Sequence, residues 1–314
     1  MPRSPLLLLS ILLSISIARG QQRWINMDSL FTGLPGSLHI YRTDAKLSGR
    51  PFIAWYVEAD ISDRALQFDT DTTLGRRLTP SQFHAKNGAP AVVVNGTFFS
   101  FATNQNLNLV VKDGKLVSHN VTSIQGKGKD STIFFKVSRS AIGISRDRHA
   151  DVAWLLTDSG QRRPRAWQHM PVTRKDKTNG ISIRDTLWKH ARKWNMQAAI
   201  GGGPVLVHDA KVRITNDEER MFMGKAREDL HPRTAMGYTK DGKLIILAVE
   251  GRRPGVAEGA SLTDLAKLFV ELGAQEALNL DGGGSSCLLV MGKETIRPSD
   301  KEGQRPVPGV FIIK

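Results

Sequence analysis

The chain has 314 residues, 40% hydrophobic and 24% charged, an ordinary globular composition with length enough for one large domain or two small ones. Its net charge of +14 favours anionic partners such as phosphorylated glycans or envelope polymers. Nucleic acid is set aside: the basic residues are scattered, with local clusters at Arg162-Arg163-Pro164-Arg165 and Arg252-Arg253, and no nucleic-acid motif accompanies them. The only cysteine, Cys287, excludes an intrachain disulfide and reads as a small buried hydrophobe.

Arg3 precedes an uncharged run from Leu6 to Ala18, and Ala18-Arg19-Gly20 places small residues at both cleavage-defining positions. Residues 1–20 are therefore expected to be a signal peptide and the mature protein secreted or periplasmic. Nothing after Gly20 is long and apolar enough to span a bilayer, so no stable membrane insertion is expected. Residues 21–51 form a lead-in.

From Phe52 the chain alternates short strands, turns and a few helices. Phe52 to Asp60 is rich in β-formers. Thr79-Pro80 opens a short helix that stops near Gly88. Ala91 to Val94 is a buried-strand run ending at Asn95-Gly96, and Asp113-Gly114 marks a tight hairpin. Asp158 to Gly180 reads as a long surface loop holding Trp167 and His169, which either line a sugar subsite or pin the loop. A helix is predicted over Ile183 to Trp194. Strands follow at Gln197 to Ile200 and Val205 to Val207, flanking Gly201-Gly202-Gly203-Pro204. Thr234 to Thr239 and Lys243 to Val249 pair through Asp241-Gly242. Ser261 caps a helix, with Asp264 completing a capping box. Ala277 to Leu280 then delivers Asp281 to Gly282-Gly283-Gly284-Ser285-Ser286. With no visible boundary, residues 52–314 are expected to be one α+β domain built on a mixed β-sheet with a few packed helices.

Chemistry concentrates at strand ends. Glu250 and Asp281 each follow a buried strand, and two carboxylates at a sheet rim can supply the acid and base, or acid and nucleophile, of glycoside cleavage. Arg233 and Arg252 are placed to hold a phosphate bidentately, and glycine turns bring backbone N–H groups close to an anion. The same residues admit a purely structural reading, in which Asp281 caps its turn and Glu250 pairs with Arg252. His231 is a proton shuttle or a hydrogen-bonding rim residue. No histidine pair has zinc-ligand spacing. No cofactor is expected, although Asp281 and Glu250 leave room for a divalent cation such as calcium. Asn95-Gly96-Thr97 and Asn120-Val121-Thr122 match the glycosylation sequon, a motif too common to carry weight.

The series Asn95-Gly96-Thr97-Phe98-Phe99, Gly201-Gly202-Gly203-Pro204, His231-Pro232-Arg233-Thr234-Ala235, Glu250-Gly251-Arg252 and Leu278-Asn279-Leu280-Asp281-Gly282-Gly283-Gly284-Ser285-Ser286 occurs in this order. Arg297-Pro298-Ser299-Asp300 and Arg305-Pro306-Val307-Pro308 close it. The series resembles the phosphodiester glycosidase family, which includes bacterial exopolysaccharide-associated members. His231 stands where the family often has asparagine and Glu250 where it often has aspartate, and the disulfide-bearing extensions of the animal members are absent. The resemblance implies an exported hydrolase that cleaves the C1–O bond of a sugar-1-phosphodiester, with an anionic phosphoglycan as substrate. By the same implication Asp281, Glu250, Arg233 and Asn95 are catalytic. Arg252, His231, Thr234, Gly202, Gly203, Gly282, Gly283, Gly284, Ser285 and Ser286 bind substrate. A non-catalytic phosphoglycan receptor and a phosphodiesterase cutting P–O are the competing expectations.

Overall fold

The computed structural model describes residues 22–126, 128, 131–157, 160, 163–171 and 191–314. The expected signal peptide lies outside these residues, as does most of the helix predicted over Ile183 to Trp194. Its last residues, Arg192–Lys193, form a strand instead.

Three main sheets share one apolar centre. The largest has eight strands, in the order Ile25–Asn26, Leu38–Thr43, Ala54–Asp60, Lys243–Val249, Arg233–Thr239, Ala274–Asn279, Val205–His208 and Lys211–Val212. A seven-stranded sheet includes Val110–Lys112, Arg139–Ser145, Ala150–Leu156 and Met196–Gly201, and a five-stranded sheet includes Phe68–Thr72, Val92–Asn95, Leu288–Val290 and Gly309–Ile313. Residues 22–51 supply two strands of the largest sheet.

Side-chain alternation explains the layering. Along Lys243–Val249, Leu244, Ile246 and Ala248 face the shared core with Ile142, Trp154, Val94 and Phe311. Ile245, Leu247 and Val249 face the opposite way, onto Leu262, Leu265, Ala266 and Phe269 of the helix Leu262–Glu271. Burial on both faces is why this strand reads as an unbroken apolar run. That helix has the expected capping box, Ser261 Oγ accepting from Asp264 N and the Asp264 carboxylate accepting from Ser261 N. The helix Pro80–Lys86 starts at Thr79 with Gln82 as its reciprocal partner, and packs Phe83 on Val93, Leu289 and Val310.

Two expectations are corrected. Every described strand pairing is antiparallel, so the sheets are not mixed, and two short α-helices among the described residues make the protein mostly β. Successive strands joined by tight turns must reverse direction: Asp113-Gly114 and Asp241-Gly242 each close a hairpin. The predicted 158–180 loop contains the strand Arg165–Trp167, in which Trp167 is buried and pairs with Trp154. Trp167 therefore anchors its segment and lines no surface. No described helix is long and apolar enough to cross a membrane.

Candidate active site at the sheet rim

Register brings the predicted residues to one place. In the largest sheet Arg233 pairs with Val249, and Ala235 pairs with Asn279. The central strand thus starts where both of its antiparallel neighbours end. His231 to Arg233, Glu250 to Arg252 and Asp281 to Ser285 consequently share one rim. The five-stranded sheet reaches the same rim through the end of Val92–Asn95, where Asp281 N donates to Gly96 O at 3.0 Å.

Asp281 is the carboxyl group that opens the glycine turn of this rim. Its Oδ1 accepts from Gly282 N at 3.0 Å, so the turn-capping geometry is realised. The residue keeps some contact with solvent, yet protein packed around its carboxyl removes hydration. That loss outweighs the hydrogen bonds from Ser285 and Gly282 and the charge of Arg305, and pushes its pKa up to about 7. A carboxyl poised there can take or give a proton at neutral pH.

Two guanidinium groups lie directly against the glycines that follow. A Cβ on Gly283, itself at φ +62°, would sit 2.9 Å from Arg252 Nη2, and one on Gly284 would sit 2.2 Å from Arg305 Nη2. Glycine leaves both guanidinium groups room for this approach. Arg252 is exposed, has no carboxylate partner among the described residues, and adopts φ +60°, a left-handed backbone unusual for a non-glycine residue. Arg305 donates from Nε to Asp300 Oδ2 at 2.6 Å and from Nη1 to Ser285 Oγ at 3.5 Å. Arg305 opens Arg305-Pro306-Val307-Pro308, and no local spacing marks it as part of the site. The buried atoms Ser286 Oγ, Ser299 Oγ and His231 Nδ1 have no hydrogen-bond partner among the described residues. Burial and the charges of Arg233 and Arg252 hold the His231 pKa down, which keeps its ring neutral at pH 7.

The remaining predicted residues are present but engaged. Glu250 does not pair with Arg252: Oε2 accepts from Arg253 Nη1 at 2.6 Å and Oε1 from Arg297 N at 3.1 Å. Glu250 thus fixes the backbone around the arginines. Asn95 is fully buried. Its Nδ2 donates to Asp281 O at 2.7 Å, and its Oδ1 accepts from Thr234 Oγ1 at 2.8 Å and Cys287 N at 3.0 Å. Asn95 and Thr234 clamp three strand ends together and touch no open surface. Gly202 and Gly203 are buried, and a Cβ on Gly202 would lie 2.3 Å from Asn279 O, so protein fills the space a substrate would need. Asn120 is buried as well, its Oδ1 accepting from Leu109 N, so folding hides both sequons.

Arg233 is 3% exposed, and donates from Nε to Ala260 O at 3.0 Å and from Nη2 to Asp229 O at 2.9 Å. Burial lowers its pKa to about 10, so it stays charged at neutral pH. Nη1 has no protein acceptor among the described residues. Arg233→Ala therefore disturbs the fold as well as the site. The substitution strands buried carbonyls and opens a cavity, and should lower stability by about 2–4 kcal/mol. Urea denaturation checks this, and an unchanged midpoint would contradict it.

An antiparallel β scaffold that presents a poised carboxyl and two arginines around a glycine turn defines a class of anion-handling site. The family model for "Phosphodiester glycosidase" matches residues 87–314, well over half of the chain. The chain belongs to the phosphodiester glycosidase family. It is 24% identical to the mouse N-acetylglucosamine-1-phosphodiester alpha-N-acetylglucosaminidase over 212 residues, 67% of this chain and 33% of the mouse protein. A prophage-derived uncharacterized protein of Bacillus subtilis (strain 168) is 43% identical over 70 residues, 22% of this chain and 11% of that protein. The chain spans a third or less of these relatives' length. Its fold is similar to the catalytic domain of the zebrafish N-acetylglucosamine-1-phosphodiester alpha-N-acetylglucosaminidase auto-inhibited by its pro-peptide, with TM-score 0.58 and 21% identity over 90% of this chain and 84% of that one.

Proposed function

We propose that this protein is an exported hydrolase that cleaves the C1–O bond of a sugar-1-phosphodiester, releasing free sugar and a phosphomonoester. The observation that carries the reading is the pairing of Arg252 and Arg305 with the glycine turn immediately after Asp281. Guanidinium groups and turn N–H groups neutralise the phosphate, which departs as the C1–O bond breaks. Phosphate is a good leaving group, so charge neutralisation matters more than strong acid assistance. Asp281, deprotonated, accepts a proton from water as the water oxygen bonds to C1. Glu250 and Asn95 position these groups. Arg233 supports the rim and adds its buried positive charge beside it. Residues 1–20 carry the export signal in this reading, and no metal enters the reaction.

Hydrolysis of an N-acetylglucosamine-1-phosphodiester in oxygen-18 water, with and without chelator, tests the proposal. The label should enter the sugar, and chelator should leave the rate unchanged. Label in the phosphate would instead identify a phosphodiesterase, and absence of turnover across a panel of sugars would leave a phosphoglycan receptor.

A further inference from the structure

Phe101 is 64% exposed, an unusual state for a large aromatic side chain. It follows the Asn95-Gly96-Thr97-Phe98-Phe99 segment in a loop closed by Ser100 N donating to Gln105 O and Leu107 N donating to Phe98 O. Its ring lies 4.8 Å from the buried Phe99 ring. Two guanidinium carbons approach it, Arg305 at 5.4 Å and Arg77 at 5.6 Å from its centroid. Arg305 is the residue laid against Gly284, so the exposed ring adjoins the proposed phosphate position. Arg77 is held there by backbone pairing, because its neighbour Leu78 exchanges hydrogen bonds with Val307, two residues past Arg305. Arg77 also stacks 5.6 Å from the Phe99 centroid, and no carboxylate pairs with it among the described residues.

Arg252, Arg305, Phe101 and Arg77 thus form a track that leads away from Asp281. Arg305 is already paired with Asp300, so Arg77 is the cation beside the ring that has no carboxylate among the described residues, and an anion there neutralises it. An exposed aromatic face suits a pyranose ring, whose apolar C–H face packs on it while its hydroxyls stay wet. Resting on the function proposed above, we infer that Phe101 and Arg77 form an acceptor-side subsite. Phe101 stacks on the first acceptor sugar, and Arg77 binds a second anionic group on that acceptor, phosphate or uronate carboxylate. The preferred substrate is then an anionic glycan, and the scissile diester is one of at least two negative groups on it.

The test compares N-acetylglucosamine-1-phosphate methyl diester with diesters to a disaccharide acceptor carrying a second phosphate, a uronate, or no charge. For the two charged acceptors, Arg77→Gln and Phe101→Ala should raise KM about ten-fold with kcat unchanged, the scale of one lost cation–π or ion contact. The methyl diester should be unaffected, and Phe101→Trp should retain the preference. Thermal melts establish that each variant folds, and Arg77→Gln alone suffices if Phe101→Ala does not. Equal KM values for wild type and variants on the charged acceptors overturn the subsite while leaving the hydrolase proposal standing. If wild type cleaves none of these compounds and none of the panel of sugars, the hydrolase proposal fails. Calorimetric binding of the bisphosphorylated compound then decides the subsite: about ten-fold weaker binding by Arg77→Gln supports it, and unchanged binding overturns it.

Discussion

Asp281→Asn should abolish turnover and, at the same time, make the protein more stable above neutral pH. Loss of a proton-transferring group is expected to lower kcat by about 10³-fold. The stability gain follows from linkage. Asp281 binds its proton more tightly in the folded chain, with a pKa of about 7, than at its ordinary value of 3.8. Between those values the folded state holds the extra proton, so stability falls as pH rises through that window, and the full penalty is present above pH 7. Asparagine keeps the oxygen that accepts from Gly282 N and carries no charge to desolvate. Because the residue retains some solvent contact, the gain is on the order of 2–3 kcal/mol, short of what the whole shift would give. Melting temperatures of the two proteins should coincide near pH 4 and separate progressively up to pH 7. Wild-type kcat/KM should rise with pH through about 7, since the deprotonated carboxyl is the active form. A variant less stable than wild type at pH 8, or a rate that falls through neutrality, would sink the assignment.

Arg252→Ala should lower kcat/KM by about 10²–10³-fold with the fold unchanged, the usual consequence of removing one donor from a developing oxyanion. Unlike Arg233, this side chain is exposed and supports no carbonyl or carboxylate among the described residues, so its removal leaves no buried group unpaired. The preceding Gly251 approaches Pro232 so closely that a Cβ would lie 2.6 Å from Pro232 N, a contact that the substitution at 252 leaves in place. Arg252→Lys should recover little, because a point charge does not reproduce bidentate contact. Steady-state kinetics with parallel thermal melts separates the two contributions. A drop in melting temperature with kcat/KM intact would assign Arg252 to structure.

Elements governed by neighbouring residues were legible directly. The Ser261–Asp264 capping box, the Thr79-Pro80 helix start and the hairpins at Asp113-Gly114 and Asp241-Gly242 depend on contacts within a few residues, and each formed as expected. A carboxylate directly after a buried strand was likewise readable, which is why Asp281 stood out. Tertiary structure decided what depends on residues far apart in the chain. Antiparallel pairing throughout is a long-range outcome that strand and helix order does not specify. Glu250 pairs with Arg253 and with the backbone of the distant Arg297, and sequence spacing does not reveal that second partner. Arg305 reached Gly284 through the return of the carboxy-terminal strand, and Gly202 disappeared beneath Asn279, although its glycine run resembles the one at the rim. Side-chain chemistry is written residue by residue, whereas which side chains stay free to act is settled only when packing has claimed the others.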